Sequence, residues 1–117
     1  MSLLPTHILL NYTYNLICRG RERLTVQNSV VTLDPSKIEH VTYGEARKVW
    51  IGLENADIRK TTDGTDPSNT GGSEVGHIVF TNERFAIIGN ADISNLKTII
   101  KNVGETATLE IEYFYGV

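Results

Sequence analysis

Cysteine, methionine and tryptophan each occur once in this 117-residue chain, and proline only three times. A lone Cys18 excludes an internal disulfide, which suits a reducing compartment. Apolar runs such as residues 8–10 and 86–88 are far too short to cross a bilayer as a helix. The first twenty residues lack a basic start followed by an apolar block, so a chain made and kept in the cytosol is expected. Without export, the glycosylation sequon at Asn11-Tyr12-Thr13 carries no meaning. Positive charge is sparse as well. Eleven Lys and Arg stand against 14 Asp and Glu, for a net charge of -3 and a pI near 5.5, and the only dense basic patch is Arg19, Arg21 and Arg23. A nucleic-acid backbone is normally met by a basic face that displaces counterions, so neither nucleic acid nor membrane is expected as a partner.

Chemistry-bearing motifs are equally scarce. Gly71-Gly72 is followed by Ser73-Glu74, where a phosphate-cradling loop would need Lys and Ser or Thr. Cys18 has no neighbouring His or second Cys, which makes it small core filler beside an apolar strand face. His7, His40 and His77 lack the close spacing of a zinc site. Asp57, Asp63, Asp66, Glu74 and Asp92 could offer oxygens to calcium, yet the alternation of donors and the closing glutamate of a calcium loop are missing. No pair of carboxylates is singled out for glycoside hydrolysis. The residues therefore predict no enzyme, no cofactor and no metal.

What remains is strand-like sequence in a chain of one domain's length, with 40% hydrophobic and 21% charged residues. Near the end, Leu109, Ile111, Tyr113 and Tyr115 alternate with Thr108, Glu110 and Glu112, the period-2 signature of a half-buried strand. Leu10, Tyr12, Tyr14 and Leu16 alternate likewise with Asn11, Thr13 and Asn15. Further strands are expected over 23–27, 30–33, 48–53, 58–62, 76–80 and 84–88, divided by turn formers such as Asn28-Ser29, Asp34-Pro35-Ser36, Asp63-Gly64 and Gly89-Asn90. Residues 36–47 read as a connection with room for a short strand at 38–42. For 92–104 the helical spacing of Ile93, Leu96, Ile100 and Val103 competes with the β-branched Thr98-Ile99-Ile100. The reading adopted is a short helical turn at 92–96, then a strand paired with 106–115 through a hairpin at 102–105. Short strands at this spacing predict an all-β, antiparallel, jelly-roll-like β-sandwich in a single domain over 1–117. Residues 1–5 are expected to form an arm whose Leu3, Leu4 and Pro5 pack on a neighbouring subunit, disorder being the default for such a terminus.

One stretch interrupts this regularity. Residues 56–76 are almost wholly polar, with Ala56, Ile58 and Val75 as the apolar exceptions. Asp63 can bond to its own downstream backbone, Gly64 accepts positive φ, and Pro67 fixes φ in the connection that follows, so a loop tip at the end of the sandwich is expected. With Thr65 and Gly76 these residues make a structural loop and a contact for a partner; a solvated hairpin that touches nothing is the alternative. Trp50 and the tyrosines could form a sugar-stacking platform. A sheet position for Trp50, with its indole N–H reaching a partner, and core or interface positions for Tyr12, Tyr14, Tyr113 and Tyr115 are the simpler account.

The run from Leu53 to His77 resembles a group of small virion proteins of tailed bacteriophages. In these, a strand closing on Glu-x-Ala-Asp-Ile-Arg leads into Asp-Gly-Thr-x-Pro and then a Gly-His-hydrophobic strand. The matching positions are Leu53, Glu54, Ala56, Asp57, Ile58, Arg59, Asp63, Gly64, Thr65, Pro67, Gly76 and His77. The closing segment 91–115 is similar too, whereas residues 1–48 show no such likeness and 68–73 form a longer Gly- and Ser-containing insert. The resemblance implies a β-sandwich without an active site, carried on the virion surface and present in the host cytoplasm during assembly. It implies capsid decoration or cement, with the major capsid protein or another virion protein as partner, or a head-fibre or tail-attached piece. A homo-oligomer, trimer or dimer, is expected. The alternative function is a host-recognition or carbohydrate-binding module of a phage fibre or tail.

Overall fold

The computed structural model describes residues 15–117. The alternating face of Leu10, Tyr12 and Tyr14 and the arm residues Leu3, Leu4 and Pro5 lie outside the described residues. The elements in chain order are β1 (Leu16–Val26), β2 (Val31–Thr32), α1 (Pro35–Ile38), β3 (Glu39–His40), β4 (Gly44–Glu54), β5 (Ile58–Thr61), β6 (His77–Val79), β7 (Arg84–Ile88), α2 (Asn90–Asn95), β8 (Lys97–Ile100) and β9 (Ala107–Gly116).

Four antiparallel pairings organise them: β1 with β9, β2 with β8, β4 with β7, and β5 with β6. These are the pairings of a long two-stranded ribbon rolled up on itself. The first half of the ribbon runs β1, β2, β4, β5 and the second half returns β6, β7, β8, β9. Rolling brings β9 beside β4 and β8 beside β5, giving one sheet built on β1-β9-β4 with β7 and β3 along β4, and a second in the order β2-β8-β5-β6. The fold is an antiparallel jelly-roll sandwich, in which hydrophobic inner faces of two sheets cover one another.

β9 explains the core most directly. Ala107, Leu109, Ile111, Tyr113 and Tyr115 are buried, while Thr108, Glu110, Glu112 and Phe114 between them are partly exposed. Val49, Ile51 and Leu53 of β4 and Ile58, Leu96 and Ile100 on the opposite side complete the layer. Each large side chain so buried contributes roughly 1.5–3 kcal/mol before entropy is counted. Tyr115 keeps its hydroxyl satisfied by donating to the Lys37 carbonyl at 2.5 Å.

Several sequence expectations need correction. The strand at 97–100 does not form a hairpin with the last strand: β8 pairs with β5 and β2, and β9 lies between β1 and β4 in the other sheet. Residues 101–106 cross from one layer to the other. The reason is burial, because Thr98, Ile99 and Ile100 are all buried and such a segment requires a central place in its own sheet. β1 is continuous over Leu16–Val26 where two separate strands were expected, with an irregularity between Cys18 and Gly20. A matching irregularity between Ala46 and Lys48 flanks the other side of the same part of β9, so Arg19 and Arg47 are the extra residues of two bulges. The expected connection at 36–47 contains α1, capped by Asp34, whose side chain accepts the Ser36 N–H at 2.9 Å with Pro35 opening the helix. The turn at 92–96 is helical but begins earlier, at Asn90, with Gly89 at the N-cap and Ile93 buried beneath it.

Candidate functional site

Two surfaces gather the residues that sequence reasoning marked. The first is the polar stretch, which is neither a free hairpin nor a bare tip. Residues 62–76 are laid back over the outer face of the four-stranded sheet. Arg59, Ile78 and Ile99 stand side by side on that face, and Ile99 is buried although it is not part of the core between the sheets. Pro67 is buried too.

Bonds anchor the loop at intervals. Asp63 Oδ1 accepts the Thr65 N–H at 3.0 Å, an Asx turn that holds the Asp63 carboxyl below its ordinary range, with Gly64 inside the turn at φ 86. The Thr61 hydroxyl donates to the Thr65 carbonyl at 2.5 Å, and Lys97 Nζ meets Asp66 Oδ1 at 2.7 Å. Asn69 Nδ2 donates to the Ile100 carbonyl at 2.9 Å and to Asn28 Oδ1 at 2.8 Å. A bridge between Ser68 and Val75 then closes the base, with both N–H to carbonyl distances at 3.0 Å. Beyond it Thr70, Gly71, Gly72, Ser73 and Glu74 are exposed and form their own turn, in which Ser73 N–H reaches the Thr70 carbonyl and Gly72 N–H reaches Glu74 Oε1. An open cavity of about 380 Å³ lies beside the loop, walled by Lys60, Asp63, Thr65, Gly76 and His77.

The stretch from Leu53 to His77 has a plain architectural explanation. Ala56 and Ile58 are buried, Asp57 Oδ1 accepts the Thr81 N–H at 2.7 Å, and Arg59 Nη1 donates to the Gly76 carbonyl at 3.1 Å. Gly76 has φ 113, and a Cβ there would come within 3.0 Å of the Lys60 carbonyl oxygen. Glycine is therefore required where the loop rejoins the sheet. These residues tie strands and turns together.

The second surface is the outer face of the larger sheet. Arg21 of β1, Glu112 of β9 and Arg84 of β7 form a chain of ion pairs at 3.3 and 3.7 Å, and Arg23 pairs with Glu110. The basic patch at Arg21 and Arg23 thus spends its charge within the fold, while the Arg19 guanidinium lies 5.0 Å from the centre of the Tyr43 ring. Trp50 stands half-buried between Lys48 and Arg84, whose cationic ends sit 5.0 and 5.4 Å from the indole. Beside it, Gly52 floors a groove of about 350 Å³. Cys18, expected as core filler, is partly exposed at the β1 bulge with Sγ 3.8 Å from Glu112 Oε2.

Sequence reasoning marked Trp50 but missed Gly52, Arg84, Glu110 and Glu112 as its companions. Outward positions could be read from the alternation, yet which strands lie side by side could not. His40 and His77 lie on different sheets: His40 Nδ1 accepts the N–H groups of Thr42 and Tyr43, and His77 begins β6; His7 is outside the described residues. Among the described residues, no group of three or more His, Cys, Asp or Glu could hold a metal ion, and no helix is long and apolar enough to cross a membrane. Comparison with protein-family models, with curated proteins and with solved structures returned no match.

Proposed function

We propose that this protein is a structural subunit of a bacteriophage virion, a decoration or cement protein that stabilises the shell by bridging major capsid subunits. The reading begins from the likeness of residues 53–77 to small phage virion proteins. The jelly-roll fold supports it as an analogy, since that architecture recurs in viral coat domains as well as in lectins.

The observation that carries the reading is the pinned loop. Its base is fixed by the Ser68–Val75 bridge, Asn69 and the Asp66–Lys97 pair, and its exposed tip at 70–74 already holds a turn. A contact that is ordered before it meets its partner loses less entropy on binding. The action is adhesive, without bond-making: several modest contacts per subunit raise the stability of the assembled shell and gain avidity when they engage together. A symmetric homo-oligomer, trimer or dimer, would sit on a symmetry axis of the shell.

The test is binding of the purified protein to emptied, expanded capsids of its parent phage, with capsid melting followed by calorimetry. Saturable binding with a raised melting temperature supports the role. Intact shells that neither bind the protein nor melt higher in its presence would sink it.

A further inference from the structure

We infer that the groove over Gly52 on the outer face of the larger sheet is a binding site for a neutral pyranose sugar. The inference does not rest on the virion role.

Gly52 is the starting point. It lies within β4, where glycine weakens a strand, and no positive φ or backbone clash requires it: the nearest neighbour a Cβ would meet is Arg84 Cγ at 3.9 Å. What the missing side chain does is keep the groove open. The resulting volume, about 350 Å³, falls at the small end of ligand clefts, which span roughly 300–1,000 Å³.

The walls define the guest. Trp50 precedes Gly52 on the same face and offers part of an indole for the apolar side of a sugar ring. Arg84 and Glu110 stand directly across from Gly52 on the two neighbouring strands, and Glu112 stands across from Trp50. Arg84 is held against both Trp50 and Glu112, and Arg21 is held by Glu112 from the far side. Four carboxylates, of Glu54, Glu83, Glu110 and Glu112, and two guanidinium groups, of Arg21 and Arg84, line the groove; Glu110 is paired with Arg23, Glu112 with Arg21 and Arg84, and Glu83 Oε1 accepts the Phe80 N–H. A free anion would meet the carboxylates and a free cation the guanidinium groups. A ring of hydroxyls can donate to the carboxylates and accept from the arginines without bringing a charge of its own. The Phe80–Arg84 turn adds Asn82 at the rim, at φ 70, with its N–H bonded to the Leu53 carbonyl.

Trp50 is the chain's single tryptophan, so its fluorescence reports on this groove directly. The experiment titrates the full-length protein with methyl glycosides of glucose, galactose, mannose, rhamnose and N-acetylglucosamine, alongside sialic acid and glucosamine as charged controls. Expected is a saturable change in Trp50 emission with at least one neutral glycoside at millimolar concentration. In Gly52→Leu, whose Cβ would meet nothing closer than Arg84 Cγ at 3.9 Å, affinity should fall by about tenfold or more, equivalent to 1.4 kcal/mol, while circular dichroism and melting temperature hold. Trp50→Phe, followed by NMR shift changes, should weaken binding less than Gly52→Leu. No response to any neutral glycoside, undiminished binding in a folded Gly52→Leu, or a charged control bound more tightly than every neutral sugar would each overturn the inference. A protein that binds sugar but no capsid sinks only the virion role.

Discussion

The hydroxyl of Tyr113 donates to Glu22 Oε1 at 2.5 Å across the β1–β9 pair, and the same carboxylate oxygen accepts the Asp34 N–H at 3.4 Å. A carboxylate on the inward side of β1 is thereby tied to the core tyrosine and to the start of α1. Tyr113→Phe removes the stronger partner and should destabilise the protein by about 1–3 kcal/mol in a denaturant titration. Glu22→Gln should cost less, since its amide oxygen can still accept.

Burial first, and the Glu22 carboxylate second, push the Tyr113 phenol well above its ordinary value. A folded-state value raised above the unfolded one contributes stability below about pH 10 that is lost as the pH rises further. Ultraviolet titration should therefore show Tyr113 resisting ionisation until the protein unfolds. Tyr113→Phe should be less sensitive to alkali than the parent chain, and equal sensitivity would refute this linkage.

Asp63 behaves oppositely. Hydrogen bonds from Thr65 hold its carboxyl below the usual carboxylate value, so the stabilisation is present above about pH 4 and lost as the pH falls through the depressed value. The Thr65 amide resonance should move in that acidic window. In Asp63→Ala it should stay put.

Gly76→Ala tests the return of the polar loop to the sheet. The substitution forces a Cβ to within 3.0 Å of the Lys60 carbonyl at a φ of 113, and strain of this kind costs on the order of 1–3 kcal/mol. Thermal melting should register the loss. Gly71→Ala, in the open tip with nothing within 4 Å of its Cβ, should change the melting temperature far less.

Asn69→Ala removes two side-chain hydrogen bonds, to the Ile100 carbonyl and to Asn28. Net loss should be about 1 kcal/mol, and hydrogen exchange should quicken across the 66–75 loop while β9 keeps its protection. If a pinned loop is what meets the capsid, this variant should also bind capsids more weakly. Deleting residues 1–5, with Leu3, Leu4 and Pro5, should reduce oligomer size or capsid affinity, and size-exclusion chromatography with light scattering reads the former.

Local pattern was legible wherever one face of a strand meets the core. The alternation from Leu109 to Tyr115 correctly separated buried from outward residues because a pleated strand leaves no other choice. The Asp63-Gly64 turn was legible too, since special backbone angles demand special residues, whereas the need for glycine at Gly76 emerged only from the approach of the Lys60 backbone. The loop's placement was misread because Pro67 and Asn69 look like turn residues in sequence, and only the neighbouring strands reveal that one is buried and the other bonds to β8.

The amino-acid sequence by itself determined that this chain is an all-β sandwich with an interrupting polar loop, because period-2 hydrophobicity and turn chemistry act over a few residues. Tertiary structure alone decided that β8 and β9 part into different sheets, and that Gly52, Trp50, Arg84, Glu110 and Glu112 share one groove. Strand partnership depends on how the rolled ribbon buries its apolar faces together, a long-range balance that no single segment encodes.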